Sequence, residues 1–167
     1  MKVIGIDPSE KATAWAYRNE NNRIVTGAAP FPAKDDFEAN YACHLFQAVI
    51  GQASKSGAQK LVIEDGFCKR NIAAYGRGCS LRAYLKKIAW DHGLLTEDVQ
   101  PKVWRKLFGW ANAKSVDAKE LACAHARDLG VKSADTHDKA EAVCIMLWGE
   151  SNDGQGDDDS AGSMLGS

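Results

Sequence analysis

Two short apolar runs, Val3-Ile4-Gly5-Ile6-Asp7 and Leu61-Val62-Ile63-Glu64-Asp65, each stop abruptly at a carboxylate. Runs of branched aliphatics without polar alternation are strands buried on both faces. The interval between them contains an amphipathic segment of helical length. Two buried strands joined across a helix pair in parallel within one sheet. Parallel neighbours bring Asp7 and Glu64 side by side at their C-terminal ends, the edge where open α/β sheets place their sites. A buried carboxylate there needs a partner or a cation. Asp7 taken alone has a plainer use, because Asp-Pro-Ser commonly caps a turn.

The rest of the chain fits around this pair. Residues 2–7, 12–17 and 23–28 read as a three-stranded antiparallel meander, with Asn19-Glu20-Asn21-Asn22 as one turn. A helix is predicted from Asp36 to Ser54, with Phe37, Tyr41, Leu45, Val49 and Ile50 on one face, Asp35 as cap and Gly57 as stop. A long helix follows over Ile72–Asp91, its apolar face formed by Leu81, Leu85, Ile88 and Ala89. Leu94–Gln100 suits a fifth strand, and Pro101 suits the first turn of a helix over 102–108. Helices are expected over 116–129 and 135–148, the last apolar enough to pack deeply. The fold class expected is α/β: a mixed five-stranded sheet, with an antiparallel three-strand meander plus parallel strands, flanked by helices. Residues 1–149 form one domain in this reading, and 150–167 a disordered acidic tail.

Composition narrows the class without choosing a function. The 167 residues are 45% hydrophobic and 26% charged, ordinary for a globular domain with a real core. Five of the 22 acids lie in 150–167, which has no Lys or Arg, leaving 21 basic against 17 acidic groups in the body. A mildly basic body is compatible with a polyanionic partner, and equally with an unevenly charged surface. The five cysteines form no C-x-x-C pair or metal-finger spacing, and Cys144 sits in an apolar run as a buried free thiol. With no run long enough to span a membrane and no basic-plus-apolar leader, a reducing cytoplasm is the expected location.

A third acidic position completes the pattern. Asp138 and Glu141 are i,i+3, so both project from one face of the last predicted helix, at its first turns. Acids at helix starts are often no more than solvated partners of the helix dipole. Delivered to the same sheet edge as Asp7 and Glu64, however, they would repel and raise one another's pKa unless divalent cations bridge them. Hard oxygen ligands suit Mg²⁺, with Mn²⁺ as a substitute. Two such ions about 4 Å apart activate a water and stabilise the leaving oxygen in phosphodiester cleavage.

These stretches resemble a known family. G-I-D-P-S at 5–9, V-I-E at 62–64 followed by Phe67, and H-D-K-A-E-A at 137–142 are similar, in order and spacing, to the RuvC-type Holliday-junction resolvases of the ribonuclease-H-like superfamily. The resemblance covers nearly all of residues 1–149. It implies a metal-binding catalytic quartet of Asp7, Glu64, Asp138 and Glu141. Glu141 departs from the family pattern, in which Asp is commoner, and the longer side chain bears on metal position and ion preference. Asp65 and Asp135 are acidic neighbours that remain open as ligands, although Asp135 suits the helix N-cap better. The resemblance also implies that Phe67 stacks on an unpaired base at the junction centre, and that Lys102 and Lys114 stand near the scissile phosphate.

Basic and aromatic residues supply a DNA-binding surface. From Gly66 to Trp90 there is no acid, while Lys69, Arg70, Arg77, Arg82, Lys86 and Lys87 are basic, a single-sign cluster suited to phosphate contacts. Tyr75 falls within it as a second aromatic. Arg105 and Lys106 are expected as outer phosphate contacts. Trp104, Phe108 and Trp110 read as packing residues, Trp110 nearest the surface, and His44, His92 and His125 as surface positions. His137 reads as a cap-side neighbour of the site rather than a ligand.

The expected function is a magnesium-dependent endonuclease that resolves four-way DNA junctions by paired symmetric nicks. A water oriented by the carboxylates and Lys114 attacks the phosphorus in line, leaving 5′-phosphate and 3′-hydroxyl ends. Two symmetric cuts call for a C2 homodimer, with the apolar face of the 72–91 helix as its contact. Two alternatives stay open: a nuclease of the same fold acting on RNA–DNA hybrids or other branched DNA, and a binding module that recognises branched DNA without cutting. A nucleotide-binding kinase or actin-like fold would need a second related domain and glycine-rich phosphate loops, for which the chain has no room.

Overall fold

The computed structural model describes residues 1–8, 12–30, 41–65 and 72–152, with backbone alone at 41–43, 72–74 and 77. In chain order the elements are β1 (Lys2–Pro8), β2 (Ala12–Arg18), β3 (Ile24–Pro30), α1 (Tyr41–Lys55), β4 (Ala58–Glu64), α2 (Ile72–Asp91), β5 (Leu95–Val99), α3 (Pro101–Leu107), α4 (Ser115–Asp128) and α5 (His137–Asn152). One five-stranded sheet runs in the order β3-β2-β1-β4-β5. The β1–β2 and β2–β3 pairs are antiparallel, whereas β1–β4 and β4–β5 are parallel. This is the mixed sheet expected from the two carboxylate-terminated runs and the meander.

Burial follows the sequence pattern. In β1 every residue from Val3 to Asp7 is buried, as a central strand covered on both faces requires. Side chains alternate across the sheet, so Ile4 and Ile6 join Leu61 and Ile63 in a core shared with α1 and α2. Val3 and Val62 face the other way, into a core with α5, α4 and Trp104 of α3. Asp7 and Glu64 have the parity of Val3 and Val62, so both carboxylates lie on the α5 side.

Glycine sets how closely α5 approaches that side. A Cβ built on Gly5 would lie 2.3 Å from the Ala142 carbonyl oxygen and 2.4 Å from the Met146 nitrogen. At the far end of the contact, a Cβ on Gly149 would meet Val3 Cγ1 at 2.8 Å and Val62 Cγ2 at 2.9 Å. Backbone therefore packs on backbone, and the first turns of α5 are held against the end of β1. The helix buries Ala140 through Met146, Trp148 and Gly149.

Several boundaries differ from expectation. β4 begins at Ala58, three residues before the apolar run, because Lys2 pairs with Ala58 across the sheet directly after Gly57 turns the chain at φ 91°. The 36–40 part of the predicted first helix, with Phe37 and its Asp35 cap, lies outside the described residues. α5 continues to Asn152 rather than ending at Trp148, and Arg18 Nε donates to both oxygens of Glu150 at 3.0 Å. Asp135 is not the N-cap of α5. Thr136 takes that place, its Oγ1 accepting the Lys139 N–H at 3.4 Å, while Asp135 accepts from Lys139 Nζ at 2.8 Å.

The apolar face of α2 is not free for a partner. Leu81, Leu85, Ile88 and Ala89 are all buried within this chain, against the sheet and α1. Their spacing reports the protein's own core, and these four residues do not form the dimer contact expected of them. His125 is likewise not a free surface residue: it is half-buried, with its ring 5.0 Å from that of Phe108 and 6.0 Å from that of Trp110.

Candidate metal centre

The end of β1, the end of β4 and the start of α5 meet at one point. Ile6 pairs with Ile63, so the parallel register carries Asp7 and Glu64 to adjacent strand ends one residue later. α5 crosses the same face and presents Asp138 and Glu141 from successive turns. Among the described residues, one carboxylate oxygen from each of Asp7, Asp138 and Glu141 lies within 4.8 Å of the others. Asp7 and Glu141 are buried, and Asp138 is partly open to solvent.

Glu64 ends the neighbouring strand beside this group without belonging to the set of oxygens within 4.8 Å of one another. Its Oε2 accepts a hydrogen bond from Trp104 Nε1 at 2.8 Å, so the indole is a donor as well as a packing residue. Of the charges acting on Asp7, that of Glu64 is the largest, followed by Glu141 and Asp138.

These carboxylates resist ionisation together. Burial and then the neighbouring acids hold Asp7 well above the usual carboxylate range. Burial, reinforced by Glu141, lifts Glu64 to about 7, despite the opposing Trp104 bond and the nearby Arg105 and Lys119. Burial also raises Glu141, against Lys119 and Arg105. A buried cluster of hard oxygen donors with its charge only partly offset fits Mg²⁺ or Mn²⁺.

Two basic residues reach the cluster, and neither role was legible in the sequence. Arg105 Nη2 donates to Glu141 Oε1 at 3.0 Å, with its guanidinium 5.1 Å from the centre of the Trp104 ring. Its Nε is buried without a hydrogen-bond partner. Arg105 is therefore an inner residue of the acidic cluster, not the outer contact expected. Lys119 Nζ lies 3.9 Å from both Asp138 Oδ1 and Glu141 Oε2. The available signal was weak: the inward stripe of Ala118, Ala122 and Ala126 on α4 leaves Lys119 on its flank.

The other anticipated residues are dispersed. Asp65 pairs with Arg82, and Lys86 with Asp98, so these two of the basic residues of α2 have acidic partners. Asp135 is exposed and bound to Lys139, away from the cluster. Lys114 is the exposed N-cap of α4, and Lys102 and Lys106 are exposed on α3. Tyr75 is exposed on α2. Phe67, Lys69 and Arg70 lie outside the described residues, as does the side chain of Arg77. His137 Nε2 lies 3.1 Å from Glu120 Oε1. Cys144 is buried as expected, and burial with Glu141 nearby pushes its thiol up to about 12.

No family model and no curated protein sequence matches the chain. Solved structures do. RuvC of Thermus thermophilus in complex with a Holliday-junction substrate superposes with a TM-score of 0.70 at 16% identity, covering 93% of this chain and 96% of that one. A second Thermus thermophilus RuvC structure gives 0.63 at 16% identity over 89% and 92% of the two chains. The Fowlpox virus resolvase in complex with Holliday-junction DNA gives 0.53 at 11% identity over 91% and 98%. At these identities the likeness is one of fold: the chain has the ribonuclease-H-like fold of these three structures.

Proposed function

We propose that this protein is a divalent-metal-dependent endonuclease that resolves four-way DNA junctions by paired, symmetric nicks. The observation that carries the reading is the convergence of Asp7, Asp138 and Glu141, with Glu64 beside them, at one sheet edge. It is strengthened by the fold, because two of the similar structures are resolvases in complex with Holliday-junction DNA.

Asp7, Glu64, Asp138 and Glu141 would hold Mg²⁺, or Mn²⁺ in its place. Bound by these residues, such cations would lower the pKa of the attacking water and stabilise negative charge on the leaving oxygen. The chain's residues position that chemistry. Asp7 forms the rigid floor, since its strand is covered on both faces. Trp104 orients Glu64, and Arg105 orients Glu141. Water adds to phosphorus in line as the P–O3′ bond breaks; the 3′ oxygen takes up a proton and the phosphate stays on the 5′ end.

Exposed Lys102, Lys106 and Lys114 supply phosphate contacts, whose affinity falls with salt. Phe67, Lys69, Arg70, Tyr75 and Arg77 are proposed as further DNA contacts on their charge and aromatic character. Arg82 and Lys86 join it only by giving up their acidic partners. Two cuts related by symmetry require two sites, hence a C2 homodimer. Among the described residues no helix is long and apolar enough to cross a membrane; a cytoplasmic place of action, in a bacterium or a phage-infected cell, accords with the DNA substrate.

The test is incubation with a synthetic four-way junction, a linear duplex and an RNA–DNA hybrid, each with Mg²⁺, Mn²⁺ or chelator. Paired nicks in the junction alone, abolished by chelator, are expected. Preferential cutting of the hybrid would replace this reading with a ribonuclease, and junction binding without cutting would replace it with a binding module.

A further inference from the structure

We infer that Lys119 is a resident counter-ion of the acidic cluster, standing where a divalent cation acts and thereby setting the cluster's cation affinity. The inference rests on the reading of that cluster as a metal centre.

The geometry sets Lys119 apart from Arg105. Lys119 Nζ is equidistant, at 3.9 Å, from Asp138 Oδ1 and Glu141 Oε2, so it sits astride two of the three clustered carboxylates. That separation exceeds the roughly 2.7–2.9 Å of a formed charge-assisted hydrogen bond. The ammonium is held by charge rather than by a directed bond. Its side chain is 37% exposed, on a flexible stem with a path to solvent. Arg105 differs on each point: it bonds Glu141 at 3.0 Å, is 14% exposed and lies against the Trp104 ring.

Electrostatics then separates their fates. Lys119 favours the ionised form of Asp7, Glu64 and Glu141 alike, so it acts on the whole group. A divalent cation bridging Asp138 and Glu141 would meet the ammonium at close range in a poorly screened site, and the two cannot share it without strong repulsion. The lysine, being loosely held and near solvent, leaves. The arginine stays and keeps Glu141 oriented.

A structural role and a counter-ion role predict opposite signs. The measurement is Mn²⁺ binding to the full chain by titration calorimetry, without DNA, for wild type, Lys119→Met and Lys119→Arg, with thermal unfolding in chelator alongside. Lys119→Met is expected to bind Mn²⁺ at least about tenfold more tightly, a lower bound because the displaced ammonium keeps part of its interaction through solvent. It should also melt lower in chelator and regain wild-type stability in saturating Mn²⁺. Lys119→Arg, which keeps the charge, should stay near wild type. Unchanged or weaker binding by Lys119→Met, with wild type binding normally, overturns this inference alone. If wild type binds neither Mn²⁺ nor Mg²⁺, the metal-centre reading falls and the inference with it.

Discussion

Trp104 Nε1 donates to Glu64 Oε2 at 2.8 Å, tying a fully buried indole of α3 to the carboxylate that ends β4. Arg105, the next residue, reaches Glu141 on α5 at 3.0 Å. One short helix thus holds acids from two other elements. A buried acceptor that loses its donor bears the desolvation penalty, about 1–3 kcal/mol.

Trp104→Phe keeps most of the ring and removes this donor. It should lower stability by about 2 kcal/mol in urea unfolding, combining the lost bond with a small void. Because the bond holds the Glu64 pKa down, the acid limb of the cleavage pH profile should move to higher pH. An unchanged profile would mean that the indole only fills space.

Asp7→Asn separates function from stability. Cleavage of a four-way junction should fall by at least about 10²-fold, on the scale of removing one group of a preorganised charged site, while junction binding measured by gel shift persists. The same change relieves repulsion with Glu64, Glu141 and Asp138. In chelator the variant should therefore melt higher than wild type, the trade seen when a strained functional group is neutralised.

The metal-free protein should lose stability as pH rises. Glu64 is lifted from 4.5 to about 7, and Asp7 and Glu141 are shifted the same way. Between the unfolded and folded values the native state binds more protons than the unfolded state, so unfolding free energy declines with pH. The contribution is intact below about pH 4.5 and is lost on passing through about pH 7. Melting temperature in chelator should drop from pH 5 to pH 8, and saturating Mg²⁺ should flatten the curve. A flat curve in chelator would contradict the close packing of these acids.

Gly5→Ala tests the seat of α5. The new methyl would lie 2.3 Å from the Ala142 carbonyl oxygen, which is helix backbone and cannot rotate away. Overpacking of this kind costs about 3 kcal/mol. The variant should be destabilised by that order in denaturant, and cleavage should fall with it as the helix lifts Asp138 and Glu141 from Asp7. Wild-type stability would show that the helix can shift without penalty.

What the sequence determined by itself was the part written in local pattern. The all-apolar β1 and β4 runs, the meander turn and the glycine and proline stops specify strands and helices through nearest-neighbour physics. The carboxylate that ends each run puts Asp7 and Glu64 at neighbouring strand ends once the strands pair in parallel, and i,i+3 spacing sets Asp138 and Glu141 on one helix face. Only tertiary structure decided how charge is balanced across elements. Lys119 on α4 and Arg105 on α3 are distant in the chain from the acids they face, and no spacing rule links residue 105 to 141 or 119 to 138. The same holds for Arg82 and Lys86, which read as a free basic cluster until packing supplied Asp65 and Asp98. It holds equally for α2, whose apolar stripe looks the same in sequence whether it meets its own sheet or a second subunit. Helical periodicity establishes that a face will be buried; the packing of the other elements determines what buries it.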